Sequence, residues 1–390
     1  MMKKIVIIGA NEFQNPLILK AKEMGYETHV FAWQDGSVGE KTADFFYPIS
    51  IVEKDLILEK CREISPDAVC TIASDLANIT VQYVAEGLGL MANSRECIEL
   101  STNKYKMRCA LNSSGVPTPF FTTASSAEDL KKHYPLNFPM IVKPVDRSGS
   151  RGITKVFSDR ELERAVKVSV EYSFEKLAIV EEYIEGPEYS CECISSYGEH
   201  HMLAITEKFT TGAPHFIETG HIEPAPLSPN MTEKVRKCVF SALDALKIKH
   251  GASHSEFKIT PDGAVKIIEI GSRMGGDCIG SSLVRLSTGY DFVAMVIETA
   301  LGDKPMFSSH KSAKYAAIRF VFDKEDIEVL ERIKKNFPKA IYFESPIETV
   351  GTRKIVDSGS RLGFYIMTAD SYEEILKISE LKNEYNPSKK

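Results

Sequence analysis

Two carboxylates, Glu256 and Glu269, flank the segment Thr260-Pro261-Asp262-Gly263, whose proline and glycine stand where a tight turn places them. The runs on either side, His254–Ile259 and Ala264–Ile270, are apolar-rich and predict a β-hairpin. With Ile259 opposite Ala264, Glu256 faces Ile267 and Glu269 becomes its diagonal neighbour, with backbones roughly 7–8 Å apart. Carboxylates held that close repel each other unless something positive sits between them. Hard oxygen ligands suit Mg²⁺, which takes one or two carboxylates and completes its shell with substrate phosphates. Arg273 follows, then Gly275 and Gly276, where backbone can approach a ligand closely. The chemistry such a set offers is phosphate handling. With its charges in water it would be an ordinary amphipathic hairpin.

Further groups upstream fit the same chemistry. Phe138–Pro144 reads as a strand with one lysine, Lys143, in an apolar run, and a lysine there is costly unless paired. Asp146-Arg147-Ser148-Gly149-Ser150-Arg151-Gly152 follows directly. Successive N–H groups of such a loop can cradle phosphate oxygens. A Gly/Ser loop serves equally as a flexible turn, but Lys143 just upstream favours a phosphate lid. It is not a Walker A loop, since no Gly-Lys-Ser/Thr follows. Lys176–Ile184 is another apolar strand, ended by Gly186-Pro187, and Glu188–Ile194 alternates like a half-buried strand. A strand end exposing backbone N–H and C=O can hold a purine edge, and Glu188 just beyond could bind ribose hydroxyls. Glu181 and Glu188 could as well be plain surface acids. A helical stretch from Asn93 to Ser114 carries Lys104, Lys106 and Arg108. His221 falls in a Gly/Pro-rich segment read as a loop, where a lone histidine is ordinarily exposed. Arg353 and Arg361, in Gly/Ser-containing segments near the end, read as ordinary surface charges, with a substrate role as the lesser alternative.

The elements that must position these groups are legible in outline. Lys4–Ile8 is a continuous apolar run, as in a buried parallel strand. Strand-like Thr28–Ala32 and Ala68–Ile72 alternate with helix-like Pro16–Met24 and Asp55–Ile64, which predicts a doubly wound parallel sheet. One glycine stands where a dinucleotide fingerprint needs three, which argues against NAD. Gly115-Val116-Pro117-Thr118-Pro119 breaks the chain into a second region. Ser228–Lys249 reads as a helix capped by Ser228 and started by Pro229. From Ser312 on, strands Tyr315–Phe322 and Phe364–Thr368 and a helix Glu325–Lys335 make a last α+β part.

Composition excludes some classes of function. The chain of 390 residues is 43% hydrophobic and 26% charged, enough for two or three domains with large cores. A formal charge of −6 argues against a nucleic-acid or anionic-membrane surface. Eight cysteines without a CxxC pair read as free thiols of a reduced compartment. The opening MMKKIVIIGANEF reads as a first strand and not a signal peptide. No apolar run is long enough to span a membrane, so a cytoplasmic protein is expected.

Helix lysine, strand lysine, Gly/Ser lid, strand-end acids and a two-carboxylate hairpin with an arginine: in that order the parts resemble the ATP-grasp superfamily of carboxylate–amine ligases. The resemblance covers roughly residues 90–305. EIGSRMGGD together with ETGHIEPA looks most like the L-amino acid ligases, which make dipeptides. It implies an α/β protein with an ATP-grasp fold: an N-terminal doubly wound domain over 1–114, an ATP-grasp domain over 115–310 with its lid subdomain at about 115–190, and a small C-terminal α+β domain over 311–390. It further implies that ATP phosphates meet Lys104, Lys143 and the lid residues Ser148, Gly149, Ser150 and Gly152. Glu181 with the backbone of Glu182 and Ile184 would hold adenine, and Glu188 the ribose. Glu256 and Glu269 would ligate Mg²⁺ (or Mn²⁺), while Arg273 and His221 would serve the acyl phosphate and the substrate carboxylate. Small-molecule carboxylate and amine substrates are implied, and by analogy a homodimer. The family commonly reads Glu-x-Asn-x-Arg; here Gly271 replaces the asparagine and cannot supply its metal contact, which leaves the number of metal ions open. The alternatives are a purine or nucleotide-sugar ligase of the same superfamily, or an ATP-binding protein without turnover.

Overall fold

The computed structural model describes residues 2–128, 130, 137–213, 216–308, 314–349, 351, 355 and 357–382; Ser312 and Arg353 lie outside them. Strands β1 (Lys4–Ile8), β2 (Glu27–Phe31), β3 (Phe45–Tyr47) and β4 (Ala68–Cys70) form a parallel sheet in the order β3-β2-β1-β4. β1 is apolar after Lys4 because both of its faces are covered: Ile5, Val6, Ile7 and Ile8 are all buried. The chain leaves β1, β2 and β4 through loops that open at their carboxyl ends, where α/β sheets present ligands.

A second sheet is antiparallel. It comprises β5 (Phe121–Ala124), β6 (Met140–Pro144), β7 (Thr154–Val156) and β8 (Ala178–Glu182), in the order β5-β8-β6-β7. Its cover is the helix Asp159–Tyr172, whose Leu162, Ala165 and Val166 pack with Val142, Val156 and Val180. Ser158 caps that helix, its side chain accepting from the Glu161 N–H.

The third sheet has eight strands: β9 (Glu188–Ser196), β10 (Glu199–Thr210), β11 (Glu218–Glu223), β12 (Gly251–Ile259), β13 (Val265–Gly271), β14 (Tyr315–Val321), β15 (Ile341–Glu344) and β16 (Gly363–Ala369). Their order is β13-β12-β9-β10-β11-β14-β16-β15. The break expected near 310 falls inside this sheet, because β14 pairs along β11, and the last stretch extends the sheet. The helix Pro229–Ala245, capped by Ser228 as its sequence predicts, buries Val235, Val239, Ala242 and Leu243 among Cys191, Phe257 and Ile267.

Two local expectations need correcting. The β12–β13 hairpin exists, but Ile259 pairs with Val265 and Phe257 with Ile267, and a bulge then brings Glu269 directly opposite Glu256. Ile268 is the extra residue. Its carbonyl accepts from Arg108 Nη2 at 2.5 Å, and the preceding Ile267 N–H donates to the Pro117 carbonyl at 2.9 Å, so the disrupted ladder keeps its hydrogen bonds. His221 is not in a loop. It lies on β11, between β10 and β14, with no exposed surface.

Candidate active site

The three sheets meet around one cavity of about 810 Å³. The hairpin carboxylates stand on its wall, and the bulge makes them direct cross-strand neighbours, closer than the diagonal pairing foreseen from sequence. Each is compensated by a lysine from elsewhere. Lys104 Nζ lies 2.9 Å from Glu269 Oε1, and the same ammonium donates to the Arg147 carbonyl of the lid loop at 2.5 Å. Lys208, on β10, binds Glu256 and lies 3.1 Å from Glu188 and 3.8 Å from Glu218. Burial alone would lower the Lys208 pKa, but the three carboxylates outweigh it and hold the ammonium well above its ordinary value. His254 Nδ1 is 2.5 Å from the buried Glu192, and its Nε2 is 3.3 Å from Glu256. Burial opposes its charge, yet the two carboxylates push it up to about 9, so it is an imidazolium at neutral pH.

Lys143 rises from β6 with 6% of its surface exposed and pairs with Glu181 Oε2 at 2.8 Å. The other oxygen of Glu181 is 2.6 Å from Arg108 Nε, a close charge contact rather than an aligned hydrogen bond. Burial would raise the Glu181 pKa; Arg108 and Lys143 more than offset it and keep the carboxylate ionised. Glu181 is thus a buried anchor for two cations, and its side chain is committed to them. Glu182 takes Lys266 at 2.6 Å, and the Ile184 carbonyl accepts from Lys258 at 3.4 Å. In the 146–152 loop Gly149, Ser150 and Gly152 have φ near +70°, +57° and +72°. The two glycines suit that conformation, and Ser150 is secured by donating to the Phe216 carbonyl at 3.2 Å. Of the residues foreseen from sequence, Gly152 and Gly275 do not line the cavity: Gly152 packs against Pro144 and Tyr172 at the loop's base, and Gly275 against His254 and Glu192.

Arg273 reaches from the hairpin's exit to the first sheet's region. Its Nε and Nη2 engage Asp75 Oδ1 and Oδ2 at 2.8 and 2.9 Å, a two-pronged pair. His221 Nε2 lies 3.4 Å from Asp277 Oδ2, and its Nδ1 has no partner among the described residues. Burial outweighs the neighbouring Asp277 and lowers the His221 pKa, so the ring is neutral at pH 7. Arg361 is not a surface charge. It forks onto Asp277 at 2.7 and 2.9 Å, stacks 3.5 Å over the Phe320 ring and lines the cavity. Burial would raise the Asp277 pKa, but Arg361 and His221 hold the carboxyl far below the usual range.

The donor set fits a hard divalent cation. Two carboxylates face each other at an open wall, and among the described residues no third acidic, His or Cys side chain completes an all-protein cage. That is how Mg²⁺ sits when phosphates and water supply its other ligands. Lys208 and Asp75 carry no sequence signal of their place here, and Arg361 carries only a weak one. Lys208 looks like any outward lysine of an alternating strand, Asp75 like a helix N-terminal acid, and Arg361 joins the cavity only through pairing of distant strands.

Residues 136–281 match the family model described as the ATP-grasp domain. The crystal structure of an L-amino acid ligase from Bacillus licheniformis has the same fold, with a TM-score of 0.80, 25% identity, and coverage of 97% of this chain and 96% of that one. An alanine–anticapsin ligase of Bacillus subtilis is 26% identical over 278 residues, 62% of this chain and 58% of that protein. An uncharacterized protein of Sinorhizobium fredii, y4rH, is 28% identical over 260 residues, 65% of this chain and 53% of its own length. The chain therefore spans a little over half of these curated relatives. No helix among the described residues is long and apolar enough to cross a membrane.

Proposed function

We propose, for a chain that belongs to the ATP-grasp superfamily, an ADP-forming ligase activity that joins a carboxylate, an amino acid by our reading, to an amine through an acyl phosphate. The observation that carries this is the facing pair Glu256 and Glu269 in one cavity with Lys104, Lys143, Lys208 and Arg273. Lys104 and Lys208 meet those two carboxylates directly, while Lys143 and Arg273 are held at the same cavity by Glu181 and Asp75, an arrangement that suits a polyphosphate and a metal.

Glu256 and Glu269 would hold Mg²⁺ or Mn²⁺, which when bound offsets charge on the phosphates. The chain's own groups account for the rest. Lys104 and Lys208, released from Glu269 and Glu256, have their ammonium groups beside the metal site and free to bind phosphate oxygens. Lys143 is held by Glu181 at the strand next to the lid, and the 146–152 loop closes over the phosphates. Closure matters because an acyl phosphate hydrolyses where water enters. The substrate carboxylate oxygen attacks the γ-phosphorus and ADP leaves. Arg273 offsets the charge that builds on the transferred group, since phosphoryl transfer is catalysed mainly by positioning and electrostatics. The amine then attacks the acyl carbon, the bond to phosphate breaks, and the amine's proton must go to a base. His221 is neutral, and donation of its Nε2–H to Asp277 would orient that carboxylate, itself on the cavity wall, toward the substrates. Adenine lies by this reading along the Glu182–Ile184 strand end, with its ribose at Glu188.

The test is ADP release with Mg-ATP over a matrix of amino-acid pairs, with mass spectrometry of products. A pair-dependent signal with a dipeptide mass is expected. Glu269→Gln and Arg273→Ala should each cut it by at least about 100-fold with the melting profile intact. Full turnover in either variant would remove the site assignment.

A further inference from the structure

Gly271 stands where the resembled pattern has asparagine, yet its backbone is not in the left-handed region that only glycine favours. What crowds a side chain there is a neighbour. A Cβ on residue 271 would lie 3.0 Å from Asp75 Oδ1 and 3.2 Å from Arg273 Cζ. Asp75 comes from the first residue of the helix Asp75–Leu88, which follows the parallel strand β4. The space of the missing side chain is thus filled by a carboxylate delivered from another part of the chain. The same region grips the rest of the segment. The Ala73 N–H donates to the Met274 carbonyl at 3.2 Å, Asn78 donates to the Ser272 carbonyl and hydroxyl at 3.0 Å each, and Ser101 bonds the Ser272 hydroxyl at 2.8 Å.

We propose that Asp75 is the positioning residue of Arg273, and that glycine at 271 is what lets it reach. A guanidinium has five N–H donors in a fixed plane. Asp75 takes one from Nε and one from Nη2, and the Met274 carbonyl takes one from Nη1 at 3.2 Å. One N–H on each of Nη1 and Nη2 is left over, and the plane that carries them is fixed by Asp75. Without Asp75 the arginine keeps its charge but loses its aim. The inference rests on the proposed function only in assigning those two donors to the transferred phosphoryl group.

The experiment compares, in Mg²⁺, the affinity for the β,γ-imido analogue of ATP with that for ADP, by titration calorimetry. Their ratio reports contacts to the terminal phosphoryl without turnover. Asp75→Ala should lower the ratio about ten-fold while ADP affinity changes less than about two-fold. Asp75→Asn, which keeps the shape and one acceptor, should fall between. Gly271→Ala should give a smaller loss than Asp75→Ala, since its Cβ crowds the carboxylate by only a few tenths of an ångström. In an Arg273→Ala background, Asp75→Ala should change the ratio less than about two-fold, because a residue acting only through the arginine has nothing left to act on. An unchanged ratio in Asp75→Ala, an equal loss in both backgrounds, or no preference for the analogue in the wild type each overturns the positioning role. Failure to bind either nucleotide overturns the ATP-dependent reading itself.

Discussion

Lys208 shows how a single residue settles a site's electrostatics in the absence of its substrate. Three carboxylates, Glu188, Glu218 and Glu256, converge on one buried ammonium. Removing it leaves like charges close together in a poorly solvated place. Lys208→Met should therefore melt at lower temperature without metal. Millimolar Mg²⁺ should raise its melting temperature by more than it raises that of the wild type, because a cation bound at Glu256 takes over the lost compensation. Equal metal shifts in the two proteins would show that Lys208 and the cation do not share these carboxylates. At this scale the sequence was informative where a charge broke an apolar pattern. Lys143 in Met140–Pro144 and Glu269 in Val265–Gly271 are conspicuous for that reason. Lys208 was silent because the strand around it, Glu199–Thr210, admits a lysine at any outward position, and only the neighbouring strands β9 and β11 make that position an inward one.

At the scale of elements the decisive device is the bulge at Ile268. No glycine marks it, so the hairpin's sequence suggested an unbroken ladder and a register one residue out. Its cause lies 160 residues away, in Arg108 of the helix Lys104–Ser113, whose fully buried guanidinium caps the Ile268 carbonyl and also faces Glu181 on β8. One side chain thereby ties the helix that carries Lys104, the strand that anchors Lys143 and the strand that carries Glu269. Arg108→Met should destabilise the protein by about 3 kcal/mol in urea denaturation, since it leaves a buried carboxylate half-compensated and a bulge carbonyl unbonded. It should also weaken Mg²⁺ binding, because Glu256 and Glu269 lose the register that sets them face to face. A loss of stability with undiminished metal affinity would separate the bulge from the site.

For the whole molecule, stability should depend on pH through a group outside the cavity wall. Glu223, at the end of β11, is fully buried and accepts from Thr206 and Ser287 at 2.7 Å each. Burial outweighs those bonds and pushes its carboxyl up to about 8. The folded chain therefore holds this proton between the ordinary glutamate range and pH 8, where the unfolded chain has released it. Its contribution falls as pH rises through that window, on the order of 1 kcal/mol per unit, and levels off above it. Glu223→Gln should remove that slope, melting above the wild type at pH 8 and close to it at pH 4.5; parallel curves would refute the assignment. How the three sheets converge was only partly readable. Alternating strands and helices announce the parallel sheet and Gly115–Pro119 the next region, but nothing local says that Tyr315–Val321 pairs beside Glu218–Glu223 and so brings Arg361 to Asp277.

The wall that the first sheet lends to the cavity has a practical corollary. Trp33, just beyond the carboxyl end of β2, is the chain's one tryptophan, stands on that wall and is 49% exposed. The molecule thus carries a single built-in fluorophore beside the compartment where substrates would meet. Its emission belongs to one location, so a shift on adding nucleotide, amine or carboxylate can be traced to that wall without a label and without waiting for a product.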